Sequence, residues 1–143
     1  MFNARSDDRG RVKFPVNFQE YLRSLSDKRV FVTSLDRYVA RVYPISVWRE
    51  NEAFFDTHRD DDSERAYFNA MELGEESELD SQGRIGLSTD LRRELDLVDQ
   101  PVKIFVRDGV VNIISEARFV EQQADAKALT KEGLSKLRQA GLK

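Results

Sequence analysis

A twelve-residue stretch occurs twice, and this repetition constrains the fold more than any other feature. Residues 7–18 read Asp-Asp-Arg-Gly-Arg-Val-Lys-Phe-Pro-Val-Asn-Phe, and residues 80–91 read Asp-Ser-Gln-Gly-Arg-Ile-Gly-Leu-Ser-Thr-Asp-Leu. Both are Asp-x-x-Gly-Arg, then apolar residues alternating with spacers, then a helix-start signal. The offset of 73 residues persists through Leu22 and Leu95. A pair of β-like runs follows in each half: Val30–Thr33 with Tyr38–Tyr43, and Val102–Val106 with Val110–Ile114. Arg107-Asp108-Gly109 between the second pair is a hairpin signal. Each half then opens another helix, at Ser46-Val-Trp48 and at Ser115-Glu-Ala-Arg-Phe119, and the offset there has shrunk to 71. Such self-similarity predicts two copies of one supersecondary unit sharing a core.

Helical spacing of Phe18, Tyr21, Leu22 and Leu25 predicts a first helix, with Asn17 as its cap and Glu20 three residues on. Ser88 starts the matching helix. Between the halves, the pattern predicts helices over about Val47–Phe55 and Ser63–Leu73, the second stopped by Gly74, with Thr57–Asp62 as a polar loop. A weak helix is expected over Thr130–Ala140, where Leu134 and Leu137 give a narrow apolar face; this tail is mobile or docks on a neighbour. The resulting organisation is α+β: residues 1–49 as a first unit, 50–76 as an acidic helical linker, 77–122 as a second unit and 123–143 as a C-terminal tail.

The net charge of −3 conceals a segregation. Residues 1–49 carry ten Lys/Arg against five Asp/Glu; residues 50–80 carry two against twelve; residues 81–143 carry eleven against nine. A basic N-terminal region on an acidic chain is compatible with a local DNA-facing surface, which should lie away from the acidic linker. With no cysteine, thiol catalysis and thiolate metal sites are excluded. No apolar run approaches the ~20 residues of a membrane helix, and the N-terminus has no apolar signal core.

The glycines Gly10 and Gly83 permit a tight turn, and Asp7 and Asp80 can bond backbone N–H groups within it. A guanidinium on such a turn suits bidentate contact with a phosphate or a guanine edge. Arg9, Arg11 and Lys13 alternate, so a strand there would present three cations on one face and Val12 and Phe14 on the other. In the second copy Arg84 remains, while Gln82 and Gly86 replace the flanking cations. The first copy is therefore expected to dominate DNA contact. The alternative is that Asp and Arg pair merely to hold the turn, leaving a solvated face. His58 in a polar loop and the Asp60-Asp61-Asp62 run read as solvated residues, since the run lacks the alternating ligands and glycine of a calcium loop. No nucleophile–base pairing or phosphate loop is visible, so no catalytic site, metal, cofactor or small-molecule substrate is expected. The aromatics Trp48, Phe54, Phe55, Tyr67 and Phe68 are expected in the core or at subunit contacts.

Asp7–Pro15 and Glu78–Ile85 resemble the two Asp-x-x-x-Arg signatures of the MraZ family, and Val42-Tyr-Pro-Ile-Ser-Val-Trp48 resembles its Tyr-Pro-x-x-x-Trp stretch. The resemblance runs from about Asp7 to Phe119. It implies a tandem of SpoVT–AbrB-type swapped-hairpin units, a ring-like homo-oligomer, and a cytoplasmic, nucleoid-associated regulator, usually a repressor, that binds repeated promoter elements of division and cell-wall genes. It places Arg11 and Arg84 on the signature arginines and Asp7 and Asp80 on the signature aspartates. The alternatives are an AbrB-type regulator or antitoxin with other targets, and an oligomeric scaffold without a DNA role.

Overall fold

A computed structural model describes all residues, 1–143. The first half contains β1 (Phe2–Arg5), β2 (Arg11–Lys13), α1 (Val16–Ser24), β3 (Arg29–Thr33), β4 (Ala40–Pro44) and α2 (Ile45–Thr57). After α3 (Asp61–Leu73), the second half repeats the order: β5 (Glu75–Glu78), β6 (Arg84–Gly86), α4 (Thr89–Glu94), β7 (Pro101–Arg107), β8 (Val110–Ser115) and α5 (Glu116–Ala126). A last helix, α6, covers Lys131–Gln139. No helix is long and apolar enough to cross a membrane.

The strands form a six-stranded antiparallel sheet in the order β1-β7-β8-β4-β3-β5 and a two-stranded ribbon of β2 and β6. The order is pseudo-symmetric. Each half supplies a hairpin, β3·β4 or β7·β8, and the hairpins meet through β4·β8. The edge strand of each half pairs with the other half's hairpin: β1 with β7, and β5 with β3. Neither half can thus complete its sheet alone. β1 and β5 are only four residues each, too short to signal a strand in the sequence, and β5 is wholly polar; edge strands tend to be short.

Hairpin register locates the two missing residues of the repeat. Val30 opposes Pro44 and Val102 opposes Ser115, so one residue is lost before the hairpin and one within its loop. The shorter loop is Asp108-Gly109, both at positive φ (54° and 75°), as a two-residue primed turn requires.

Period-2 alternation gives the sheet two apolar faces. Val30, Val32, Ala40, Val42, Val102, Ile104, Val111 and Ile113 point to the main core, which is closed by Val12, Phe14, Ile85 and Leu87 of the ribbon strands and by Leu22, Leu91 and Leu95 of α1, α4 and the turn that follows α4. On the opposite face Phe31, Tyr43 and Val110 pack with Ile45, Trp48 and Ala70 of α2 and α3. Trp48 is buried and stacks on Phe31 at 4.3 Å. α2 and most of α3 therefore lie on the face opposite the ribbon, while Leu73 at the end of α3 joins the main core.

Helix boundaries differ from the expectation at their starts. The N-cap of α1 is Pro15, without a side-chain cap, and Asn17 lies inside the helix. In α3 Asp60 is the N-cap, its carboxylate accepting from Ser63 N–H at 2.9 Å, and Asp61 and Asp62 form the first turn. The acidic run is thus a helix start, where carboxylates meet unpaired N–H groups and the positive end of the helix dipole.

Candidate nucleic-acid interface

Asp7 and Asp80 organise two turns with the same bonds. The Asp7 carboxylate accepts the N–H groups of Arg9 and Arg11 at 3.0 and 2.8 Å, and its other oxygen accepts Arg11 Nε at 2.7 Å. Asp80 accepts the N–H groups of Gln82 and Arg84, both at 2.9 Å, and Arg84 Nε at 2.8 Å. Backbone bonds Gly10 N–H to Asp7 O and Gly83 N–H to Asp80 O close the turns, with the glycines at φ 71° and 78°. Burial raises the Asp7 carboxyl, but the Arg11 N–H, the Arg11 guanidinium and the Arg9 N–H outweigh it, so the group titrates below its ordinary value. Asp80 is lowered chiefly by the Arg84 N–H, against a smaller burial effect.

The pairing of aspartate and arginine thus exists in both copies, and it engages only Nε. The Nη1 and Nη2 groups of Arg11 and Arg84 make no hydrogen bond within the chain, so each guanidinium keeps donors available for a ligand. The side chains are 31% and 24% exposed, held yet reachable.

Each turn is also held by the other half. Phe14 N–H donates to Gly83 O and Leu87 N–H to Gly10 O. Gln19 on α1 packs over Gly83, its Nε2 donating to Phe14 O at 2.7 Å. Arg92, the residue 73 positions on, packs over Gly10 and donates through Nη1 to Arg9 O. Arg23 reaches Asp80 O at 3.3 Å.

β2 and β6 pair so that Arg11 faces Gly86, Val12 faces Ile85, and Lys13 faces Arg84. Val12 and Ile85 are fully buried, which turns Arg11, Lys13 and Arg84 outward on one face. Arg9 departs from the expectation: it lies in the turn before β2, exposed at the end of the ribbon rather than along it. Directly opposed like charges such as Lys13 and Arg84 disfavour the pairing of strands, so this juxtaposition does nothing for the fold. Arg92 and Arg23 add cations beside the first and second turns. No local motif marks them; they become part of the surface because the halves interlock.

No protein-family model matches the chain. It is 26% identical over 141 residues to the transcriptional regulator MraZ of Acidobacterium capsulatum, a match that covers 97% of this chain and 95% of that protein. The match runs nearly end to end, so the chain is similar to this MraZ regulator along its whole length, including both Asp-x-x-Gly-Arg turns.

Proposed function

We propose that the chain is a sequence-specific DNA-binding transcriptional regulator that uses the β2·β6 ribbon as its DNA-reading element. The observation that carries this reading is the convergence of Arg11, Lys13 and Arg84, from both copies of the motif, on the outer face of one two-stranded ribbon. A β-ribbon is narrow enough to enter the major groove, where arginine pairs with a guanine edge through two donors. Arg9 and Arg92 beside the first turn, and Arg23 beside the second, suit the flanking phosphates. By the resemblance to MraZ, we infer that the protein acts in the cytoplasm on the nucleoid, as a repressor at repeated promoter elements of division and cell-wall genes, and assembles as a ring-like homo-oligomer. Exposed Phe54, Tyr67, Phe68 and Met71 on α2 and α3 suit the subunit contacts of such an assembly. The organisation into units at 1–49 and 77–122, joined by 50–76 and followed by the tail, belongs to the same reading.

The test is binding to the duplex upstream of the chain's own gene, in competition with random duplex at fixed salt. We expect specific binding that survives competitor, and a loss of steepness in its salt dependence in Lys13→Ala, because each phosphate contact removed lowers the slope by roughly 0.9. Equal affinity for both duplexes would reject the reading in favour of an oligomeric scaffold.

A further inference from the structure

The C-terminal helix is finished at both ends yet covered by nothing. Thr130 caps α6, accepting from Gly133 N–H at 2.9 Å. Leu129 before the cap and Leu134 four residues after it stand in the positions of a hydrophobic staple. At the other end, Gly141 N–H donates to Arg138 O and Leu142 N–H to Leu137 O, the paired bonds of a Schellman turn, which brings Leu142 beside Leu137. The capping thus gathers four leucines along one side. Leu129, Leu137 and Leu142 are nevertheless 58%, 48% and 51% exposed, and no residue of α6 is buried. A nine-residue helix is shorter than the ~12–15 residues at which isolated helices become even marginal in water. A leucine face of this kind needs a partner surface. The tail is also basic: residues 127–143 carry five Lys/Arg and one Glu.

A complementary surface exists on the opposite half. A groove between α2 and α3 presents Tyr67 and Met71 over a floor of buried Phe31 and Trp48, with Glu52, Asp56 and Glu76 as carboxylates. Tyr67 and Met71 are 44% and 51% exposed. Glu52 and Asp56 make no ion pair or side-chain hydrogen bond within the chain; Glu76 has only a 3.6 Å contact with Arg29. The groove lies over the β3–β5 edge, whereas α5, which leads into α6, packs on β7 and β8. The four-residue link 127–130 spans ~14 Å at full stretch, about the three strand spacings of ~4.8 Å that separate β8 from β5.

We propose that α6 of one chain docks in the α2–α3 groove of a second copy, its leucines on Tyr67 and Met71 and its Lys/Arg residues facing Glu52 and Asp56. This rests on the reading that the chain self-assembles, and it names the contact. Each copy offers one helix and one groove, so the contact is heterologous and repeats from copy to copy until a ring closes. DNA is the weaker occupant for the tail, since a phosphate backbone offers nothing to four leucines.

The absence of cysteine makes the contact directly readable. Full-length Leu137→Cys and Met71→Cys chains, mixed and mildly oxidised, are expected to give a covalent heterodimer at least tenfold above that from Leu137→Cys with an exposed control, Val16→Cys. Leu134→Asp with Leu137→Asp is expected to reduce the mass seen by light scattering. Glu52→Lys with Asp56→Lys should do the same, with recovery on mixing with a Lys131→Glu, Lys136→Glu chain. Cross-linking only within a doubly substituted chain would overturn the proposal, because the tail would then serve its own groove. So would parental assembly of the leucine variant, or weakened DNA binding as its sole defect. In those cases self-assembly itself stands, whereas a monomeric parent removes both readings.

Discussion

Asp7 and Asp80 each hold two backbone N–H groups and one arginine Nε, with every distance between 2.7 and 3.0 Å. Around these equal frames the side chains diverge. Arg9 corresponds to Gln82, Lys13 to Gly86, and Gln19 to Arg92. The helix starts diverge as well: Pro15 and Pro44 precede α1 and α2, whereas Ser88 and Ser115 cap α4 and α5 with hydrogen bonds. The backbone of the turn is therefore the part that the fold requires in both copies. The outward side chains are free of that requirement, and their asymmetry is where function can be sought.

The sharpest way to break the comparison is at the glycines. Both sit at positive φ, where a Cβ costs roughly 1–2 kcal/mol. At Gly83 the added carbon would also overlap Gln19, which is buried and bonded to Phe14 O. Losing that bond costs about 1–3 kcal/mol more. At Gly10 it meets Arg92, whose long side chain can swing aside. We expect Gly83→Ala to destabilise by about 2–5 kcal/mol and Gly10→Ala by about 1–2, measured by denaturant unfolding. Equal losses would show that Gln19 does not lock the second turn.

The arginines sharpen it next. Arg11→Ala is expected to weaken specific DNA binding by about 1–3 kcal/mol per base contact, or ~5- to 150-fold, with the fold retained. Arg84→Ala should affect DNA less and stability more, since it is the less exposed of the two and Gln82 and Gly86 beside it carry no charge. Operator binding and thermal melts of both variants decide this. Parental binding by a folded Arg11→Ala chain would leave the ribbon as a solvated face.

Much of this was legible in the residues. The 73-residue repeat identified both turns and both hairpins, because alternation and turn chemistry are local. β1 and β5 were not legible: Phe2-Asn-Ala-Arg5 alternates over only four residues, Glu75–Glu78 has no apolar residue at all, and their strand state comes from pairing with β7 and β3, about 100 and 45 residues away. The same long-range closure hid Gln19, Arg23 and Arg92. The Asp60-Asp61-Asp62 run was misplaced in the loop because a cap and a solvated acidic stretch look alike before the helix is located.

Acid should loosen both turns. Asp7 and Asp80 titrate below their ordinary value of 3.8 in the folded chain. Their contribution is therefore complete above pH 3.8 and is lost as pH falls through the lowered values. Melts should be insensitive to these groups above about pH 5 and fall below ~4. Asp80→Asn should flatten part of that fall. An unchanged acid limb would mean that the Arg84 pair adds nothing to stability.

Gly86 offers the mildest change and a gain rather than a loss. It occupies the position of Lys13 in the second copy and faces Arg11 across the ribbon. A Cβ there meets nothing within 4 Å, and its φ is not in the left-handed region, so a side chain fits without strain. Gly86→Lys would set four cations on the ribbon's outer face, two from each copy. Opposed like charges cost roughly 0.2–1 kcal/mol in the free protein, so its melting temperature should fall slightly. A ligand that spreads negative charge over the whole face reverses that penalty on binding. We expect a several-fold gain in affinity for random duplex and a salt dependence steeper by about 0.9 per chain, as one added phosphate contact requires. If the ribbon faces solvent instead, the lysine lowers the melting temperature and leaves both the affinity and its salt slope where they were.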